Sequence, residues 1–505
     1  MEKSSDTFIE SLKSKNVEFI ANTSLTNVGE FKRISLGTIR IREKSEVRVV
    51  IEAANKWKVK LHPYSKGHNW GYGSHLPHQN EMFLLDLSQL NQIVSIDEDH
   101  GVVALEPGVT QKMLADELIR RNSKYHLDVT GSSEDTSVIG NSLERGIAYC
   151  GLRVDKVCGL EVILGNGTQL RTGFGDTPNP VLKGLYPYGL GPSLDGLFFQ
   201  SNFGVVVEAH IQLLRKPENL ITISASVNNE NLSEFVNRVS ELLKAGSIRG
   251  IPHLANRERT HSTLIPLVMR AGNLSLKDSS AVLNRVLPTD WSMTASVSGS
   301  AAIAREKVKK IKKELSPFGR LYFNHREKSP LRQFIEVQLV SLFANQDQKI
   351  VLEAAKGLQG FHIGRPSNDG VLFLMGSGNT PVDQSATGFL LNTPLAPLKG
   401  ENAIFFKDIV LEHEKKFNIK TAMTLNSISE KILEAVISLH FDRINSEEVE
   451  RAHECNKSLG RIFSEKGFYP YRVNIDSVEK LTETQTGLQS ATSTIKRALD
   501  PNSIF

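Results

Sequence analysis

Between Ser65 and Ser74 the chain reads Ser-Lys-Gly-His-Asn-Trp-Gly-Tyr-Gly-Ser. Glycines at 67, 71 and 73 make a continuous helix or strand through this stretch costly, because glycine loses more backbone freedom on ordering than any other residue. The segment is therefore a loop. The runs on either side, Val59 to Pro63 and Met82 to Leu87, have the length and apolar content of strands. A glycine loop between strands lets backbone N–H groups converge with no Cβ in the way, which suits an anionic pyrophosphate. An irregular turn without a ligand is the alternative. The loop has neither the Gly-x-Gly-x-x-Gly spacing of a nucleotide-binding βαβ unit nor the Gly-x-x-x-x-Gly-Lys-Ser/Thr of a P-loop.

Two further small-residue segments follow, Ile139 to Gly146 and Leu194 to Gly204, and three in one region favour a dinucleotide. The pattern predicts a strand over Val102 to Glu106 that stops at Pro107-Gly108, then a helix capped by Thr110 with Met113, Leu114 and Leu118 on one face. Leu160 to Leu164 and Thr168 to Thr172 flank Gly165-Asn166-Gly167, whose Asn-Gly pair favours the positive φ angles of a tight hairpin. Residues 38 to 215 thus read as α+β.

After Arg215-Lys216-Pro217 the glycine clusters thin out and amphipathic segments lengthen. Helices are predicted over Leu232 to Lys244, Ala301 to Leu315, Ala403 to Phe417 and Ser446 to Lys466, with strands over Thr421 to Leu425 and Leu433 to Phe441. This alternation suggests an antiparallel sheet covered by helices, in two related halves.

Composition narrows the function classes. Sixty Lys and Arg against 56 Asp and Glu leave a net charge of +4 over 505 residues, too thin a surplus to attract nucleic acid. The densest basic run, Lys307 to Lys313, reads as the solvated face of a helix whose apolar stripe is Ile303, Val308, Ile311 and Leu315. No run of apolar residues is long enough for a membrane span, and Met1 to Asn16 is polar, so a soluble cytoplasmic protein is expected. Cys150, Cys158 and Cys455 form neither a disulfide framework nor a zinc-ligand spacing, so no metal is expected and redox work falls to a cofactor.

In order and spacing, Gly67 to Ser74, Leu105-Glu106-Pro107-Gly108-Val109-Thr110, Gly140 to Gly146 and Leu194 to Gly204 resemble the FAD-binding domain of the vanillyl-alcohol oxidase and p-cresol methylhydroxylase family. The resemblance is weaker beyond residue 217, where Thr393-Pro394-Leu395-Ala396 and Gly467 to Arg472 carry it. It implies an FAD domain over 1–217, an α+β cap domain with a large antiparallel sheet over 218–464, and a segment over 465–505 returning to the FAD domain. The cofactor residues it implies are Lys66, Gly67, His68, Asn69, Trp70, Gly71, Tyr72, Gly73, Ser74, Pro107 and Gly108, then Gly140, Asn141, Glu144, Arg145 and Gly146, then Ser201, Asn202, Gly204 and Val205. A homodimer is implied as well.

His68 stands where many 4-phenol oxidases of the family resemble one another in carrying arginine. It is similar to a histidine that, in more distant flavoproteins, is bonded to the flavin 8α-methyl group. A neutral imidazole is nucleophilic enough for such a bond; a histidine that only hydrogen-bonds is the other reading. The cap segment Thr387 to Pro394, near which other members attach the flavin, offers no imidazole or phenol. Attachment is thus expected through His68 or not at all.

Tyr72, Tyr471 and Arg472 resemble the three residues that bind a substrate phenolate in the family, which implies a phenolic small-molecule substrate. A phenol with pKa near 10 gives up hydride poorly until ionised, and a guanidinium with two phenolic donors stabilises the anion. In the competing reading Tyr471-Arg472 begins a strand, with Val473 and Ile475 inward and Arg472 paired to a carboxylate. The paired histidines usual in relatives are replaced by Ile432-Leu433-Glu434-Ala435, and the acidic residue usual after a Leu-Asp-Val segment is displaced. Glu134, Asp135 and Glu434 remain as candidate bases, each expected at the surface. Relatives also continue a few residues past Ile504-Phe505, near the flavin. The expected activity is hydride removal from a para-phenolic benzylic carbon. Oxidation of a non-phenolic alcohol or secondary-metabolite intermediate, and a degenerate FAD-binding protein, are the alternatives.

Overall fold

The computed structural model describes residues 2–21, 25–325, 344–376, 380–478 and 486–505. After a first helix, Glu2–Ser14, and an edge strand the chain forms a βαβ unit. Strand Ser35–Arg40 leads through helix Lys44–Trp57 to strand Leu61–Tyr64, and Met82–Asp86 lies between the two strands, parallel to both. Glu18–Ile20 adds an antiparallel edge. Helix Lys44–Trp57 turns Val47, Val50, Ile51 and Ala54 inward, the three- and four-residue spacing of a buried helical stripe.

A second, five-stranded antiparallel sheet runs in the order Ile93–Asp97, Val102–Leu105, Gly204–Gln212, Val157–Leu164, Gln169–Arg171. Thr110 caps helix Gln111–Arg120 as its sequence predicts, Oγ1 accepting from the Met113 N–H at 3.2 Å. Leu114 and Leu118 are buried, but Met113 is exposed, since three residues on that helix span more arc than the core covers. The hairpin at Gly165-Asn166-Gly167 forms, with one correction: only Gly167 takes a positive φ, of 83°. The Asn166 N–H is engaged by the Leu499 carbonyl at 2.9 Å, so tertiary contact shares in setting the turn.

At Asn219 the chain enters an eight-stranded antiparallel sheet. Its main order is Gly319–His325, Asn219–Val227, Trp291–Gly299, Arg249–Asn256, Lys420–Ser427, Ile432–Asp442, Thr387–Asn392, and Leu395–Pro397 also pairs with Ile432–Asp442. Helices Leu232–Lys244, Ala301–Leu315, Gly400–Phe417 and Ser446–Glu465 lie where the sequence predicts them. On Ala301–Leu315, Ile311 and Leu315 are buried but Ile303, in the first turn, is exposed.

Strand alternation sorts the sheet into two faces. Ile221, Ile223 and Ala225, Met293 and Ala295, Met423 and Leu425, and Leu433, Ala435 and Ile437 belong to the core shared with the covering helices. Their neighbours Thr222 and Ser224, Ser292 and Thr294, His253, Asn426, Glu434 and Ser438 line a cavity instead. Within the core Phe406 packs on Phe463 and Phe468, with ring centroids 5.4 and 5.6 Å away. Phe406→Ala is expected to cost about 3–5 kcal/mol, read as a lower denaturant midpoint with an unchanged slope.

The C-terminal helix Thr486–Leu499 ends at Asp500, whose two carboxylate oxygens accept from the Ile504 and Phe505 N–H groups, each at 3.1 Å. The Ile504 carbonyl in turn accepts from Leu61 N–H at 2.6 Å, which ties the end of the chain to the first sheet.

Candidate active site

A cavity of about 1650 Å³ runs between the first two sheets and the polar face of the large one. One wall is the glycine loop. Ser65 through Trp70, Tyr72 and Ser74 line it, with Pro107, Gly140, Asn141, Glu144, Gly146, Ser201, Gly204 and Val205. Five expected cofactor residues do not reach it. Gly71 and Gly73 are packed on Leu391 and Ile475, and Gly108 backs onto the Ser88 carbonyl. Arg145 takes a positive φ of 54° at the end of helix Val138–Leu143. Asn202 donates to the Phe505 carbonyl at 3.3 Å. These residues shape the wall from behind.

The lining fits FAD. Among the described residues the backbone N–H groups of Gly67, His68, Asn69 and Trp70 donate to no protein acceptor, leaving four successive donors available to a diphosphate. A Cβ on Gly140 would stand 2.4 Å from Ser65 Oγ, and one on Gly204 2.6 Å from the Ile163 carbonyl oxygen, so both positions are kept narrow. His68 Nδ1 and Asn141 Oδ1 are buried without partners. His68 stacks on Trp70 at 4.4 Å, and burial, with Lys66 and His75 nearby, lowers its pKa to about 4, so the ring is neutral. Missed in the sequence were Thr130, Ser132 and Thr136, whose hydroxyls form a bonded row on the same cavity; single hydroxyl residues in loops carry no distinguishing pattern.

At the other end Tyr72, Tyr471 and Arg472 come together. The Arg472 guanidinium lies over the Tyr72 ring, 4.7 Å from its centroid, and donates to Asn69 Oδ1. Tyr72 Oη donates to Thr393 Oγ1 at 3.2 Å. Tyr471-Arg472 is not part of a strand: an isolated bridge from Pro394 to Pro470 and the Ile475 N–H to Tyr72 carbonyl bond of 3.0 Å hold the segment against the loop. The expected carboxylate partner is present too, Glu144 Oε2 at 3.4 Å from Arg472 Nε. Burial alone would lower the pKa of Arg472, but Glu144, Tyr471 and Tyr72 hold it above the ordinary arginine value. Burial raises both phenols, Tyr72 to about 12 and Tyr471 well beyond the usual range, so both are protonated donors.

The candidate bases separate. Asp135 is exposed and Glu134 half-buried. Glu434, expected at the surface, is completely buried on the cavity face of its strand. Burial pushes its pKa to about 7, against the lowering effects of Asn426 and Arg472. Glu434 Oε2 accepts from Asn426 Nδ2 at 2.7 Å, and Asn426 Oδ1 meets His253 Nδ1 at 2.7 Å. Glu434 Oε1 and His253 Nε2 have no partner. This row crosses three adjacent strands in register, His253 opposite Asn426 and Asn426 opposite Glu434.

Comparison with known proteins agrees with this geometry. Residues 36–173 match the family described as "FAD binding domain". The chain is 29% identical over 483 residues to 1'-carboxy-chondrochloren decarboxylase of Chondromyces crocatus, covering 91% of this chain and 87% of the relative. It is 25% identical over 476 residues to the 4-cresol dehydrogenase (hydroxylating) flavoprotein subunit of Pseudomonas putida, covering 91% and 84%. Among solved structures, 4-ethylphenol oxidase from Gulosibacter chungangensis superposes with a TM-score of 0.84 at 22% identity, covering 100% of this chain and 95% of that one. The glycine-loop wall, the large antiparallel sheet facing it and these relatives agree: the chain carries an FAD-binding domain over residues 36–173 and is similar over most of its length to FAD-linked oxidoreductases of the vanillyl-alcohol oxidase and p-cresol methylhydroxylase family.

Proposed function

We propose that this FAD-dependent oxidoreductase takes a hydride from the benzylic carbon of a para-substituted phenol, as its relatives named for 4-cresol and 4-ethylphenol suggest. The observation that carries the reading is the convergence of Tyr72, Tyr471 and Arg472 on a cavity shared with the glycine loop. Bound FAD supplies the two-electron acceptor for the hydride. The protein's part is to make the phenol a donor. Arg472 supplies the positive charge that favours the phenolate, and Tyr471 and Tyr72, the latter exchanging its bond to Thr393, offer O–H groups to the same oxygen. Glu434 Oε1, beside them and unpartnered, takes the phenolic proton. Electron density from the phenolate oxygen then reaches the para carbon, and loss of hydride leaves a p-quinone methide, which water or internal collapse converts to an alcohol, aldehyde or alkene.

Anaerobic mixing of the holoenzyme with 4-ethylphenol tests this. The visible flavin absorbance is expected to bleach within a turnover; an unchanged spectrum with 4-alkylphenols overturns the reading.

A second reading has the substrate side chain carry a carboxyl group, and it is favoured by the relative of 29% identity named as a decarboxylase. Hydride loss from the benzylic carbon would be followed by loss of CO2 from the next carbon, the C–C bonding pair forming an alkene as the ring oxygen regains its charge. With 3-(4-hydroxyphenyl)propanoate, formation of 4-vinylphenol and CO2 distinguishes this from hydroxylation.

His68 is proposed to hold the flavin through its 8α position, because the neutral ring and its unpartnered Nδ1 leave a free nucleophilic nitrogen in the loop. After trichloroacetic acid precipitation the yellow colour should stay with the pellet and move to the supernatant in His68→Ala. Colour released from the unsubstituted protein excludes the bond.

A further inference from the structure

The cavity contains a second arginine that the reaction above does not use. Arg259 sits in the first turn of helix Arg257–Gly272, where Asn256 Oδ1 accepts from its backbone N–H at 2.9 Å. A cation there opposes the helix dipole, whose N-terminal end is already positive, so the position is unfavourable for the helix itself. The guanidinium lies over the Phe373 ring, 5.2 Å from its centroid, and lines the cavity beside Tyr149. Among the described residues no carboxylate lies within ion-pair distance of Arg259, and neither its guanidinium nor the Tyr149 hydroxyl has a hydrogen-bond partner. Burial lowers its pKa from the ordinary arginine value, against the opposing effect of Tyr149, and a neighbouring imidazole, His440, is held neutral by its own burial and by Arg259. A half-buried cation whose five donors face the cavity and meet no acceptor among the described residues is free to bind an anionic ligand there.

The path from this arginine to the phenol end is a polar row. Tyr149 is 4.5 Å from the His253 ring, and His253, Asn426 and Glu434 then cross three strands toward Arg472. Two strand spacings are about 10 Å, the order of the distance from the hydroxyl to the far end of a short 4-substituted phenol.

We propose that Arg259, with the Tyr149 hydroxyl, binds a carboxylate on the para side chain of the substrate, making the substrate class a 4-hydroxyphenyl alkanoate. This rests on the phenolic reading above for the other end of the molecule. The planar guanidinium presents paired N–H donors to a carboxylate, and the Phe373 face fixes its plane.

The test uses the holoenzyme and flavin difference spectra to measure dissociation constants for 3-(4-hydroxyphenyl)propanoate, its longer homologues, neutral 4-propylphenol and 3-phenylpropanoate. In the unsubstituted protein at least one of the acids should bind about 30-fold or more tightly than 4-propylphenol. Arg259→Met should remove that preference while leaving 4-propylphenol binding unchanged, which also shows that the variant folds. Arg259→Lys should keep part of it. A preference that persists in Arg259→Met, equal losses for acid and neutral phenol, or no preference in the unsubstituted protein overturns the proposal. 3-Phenylpropanoate separates the two readings: if the phenolic reading fails, 4-propylphenol gives no signal, but the phenyl acid still responds to Arg259→Met.

Discussion

Arg472→Ala is expected to lower kcat/KM for 4-alkylphenols by about 100- to 1000-fold, the effect of removing one preorganised donor from a developing or bound oxyanion. Two consequences of the same side chain add to the loss. Arg472 donates to Asn69 inside the glycine loop and lies over Tyr72, so its removal also loosens the wall that meets the cofactor. Glu144, its ion-pair partner at 3.4 Å, would be left as an uncompensated negative charge facing a substrate anion. Steady-state turnover of 4-ethylphenol, with flavin occupancy measured on the same sample, checks this. Unchanged phenol turnover in a fully loaded Arg472→Ala protein would falsify the phenolate site. A loss of flavin with normal turnover per bound flavin would instead assign Arg472 to the loop.

Glu434→Gln carries the second large effect. A buried carboxyl with a pKa of about 7 is ionised only as pH rises through neutrality, so proton acceptance by Oε1 predicts a kcat/KM that climbs across that range. In Glu434→Gln the limb should vanish and the rate near pH 8 should fall by about 100-fold or more. Stability moves the opposite way. The folded pKa lies above the ordinary carboxyl value of 4.5, so the native state holds a proton that the unfolded chain releases between about pH 4.5 and 7. Stability from this group therefore declines as pH rises through that window, then levels off above it. Gln, which keeps the Asn426 contact and cannot ionise, should remove the decline. A pH–rate profile in Glu434→Gln identical to that of the unsubstituted protein would assign the limb to another group.

Much of the architecture was legible because periodicity and punctuation are local. Leu232–Lys244 and Ala301–Leu315 match their predicted bounds since each ends where Ala245-Gly246 or Ser316-Pro317 stops the helical pattern. Tyr72 and the Tyr471-Arg472 pair could be named from their motifs. Glu434 was placed wrongly for an identifiable reason. A lone acid among apolar neighbours on a strand reads as solvent-facing when one face of the sheet is assumed to be wet. Here the face opposite the helical core is closed into a cavity, and alternation, which says that Leu433 and Glu434 point apart, says nothing of what each will meet. Arg259 was not singled out, because no local pattern marks it.

The amino-acid sequence by itself determined the glycine loop between strands and the amphipathic segments, because each depends on residues near one another in the chain; Tyr72, Tyr471 and Arg472 were singled out by the family resemblance of their segments. Only the tertiary structure decided that Glu434 is buried beside Arg472, that five of the expected cofactor residues stand behind the wall, and that Arg259 faces the cavity with no carboxylate within ion-pair distance among the described residues. Those properties are set by which distant segments close over a residue and exclude water from it, and desolvation has no signature in local spacing.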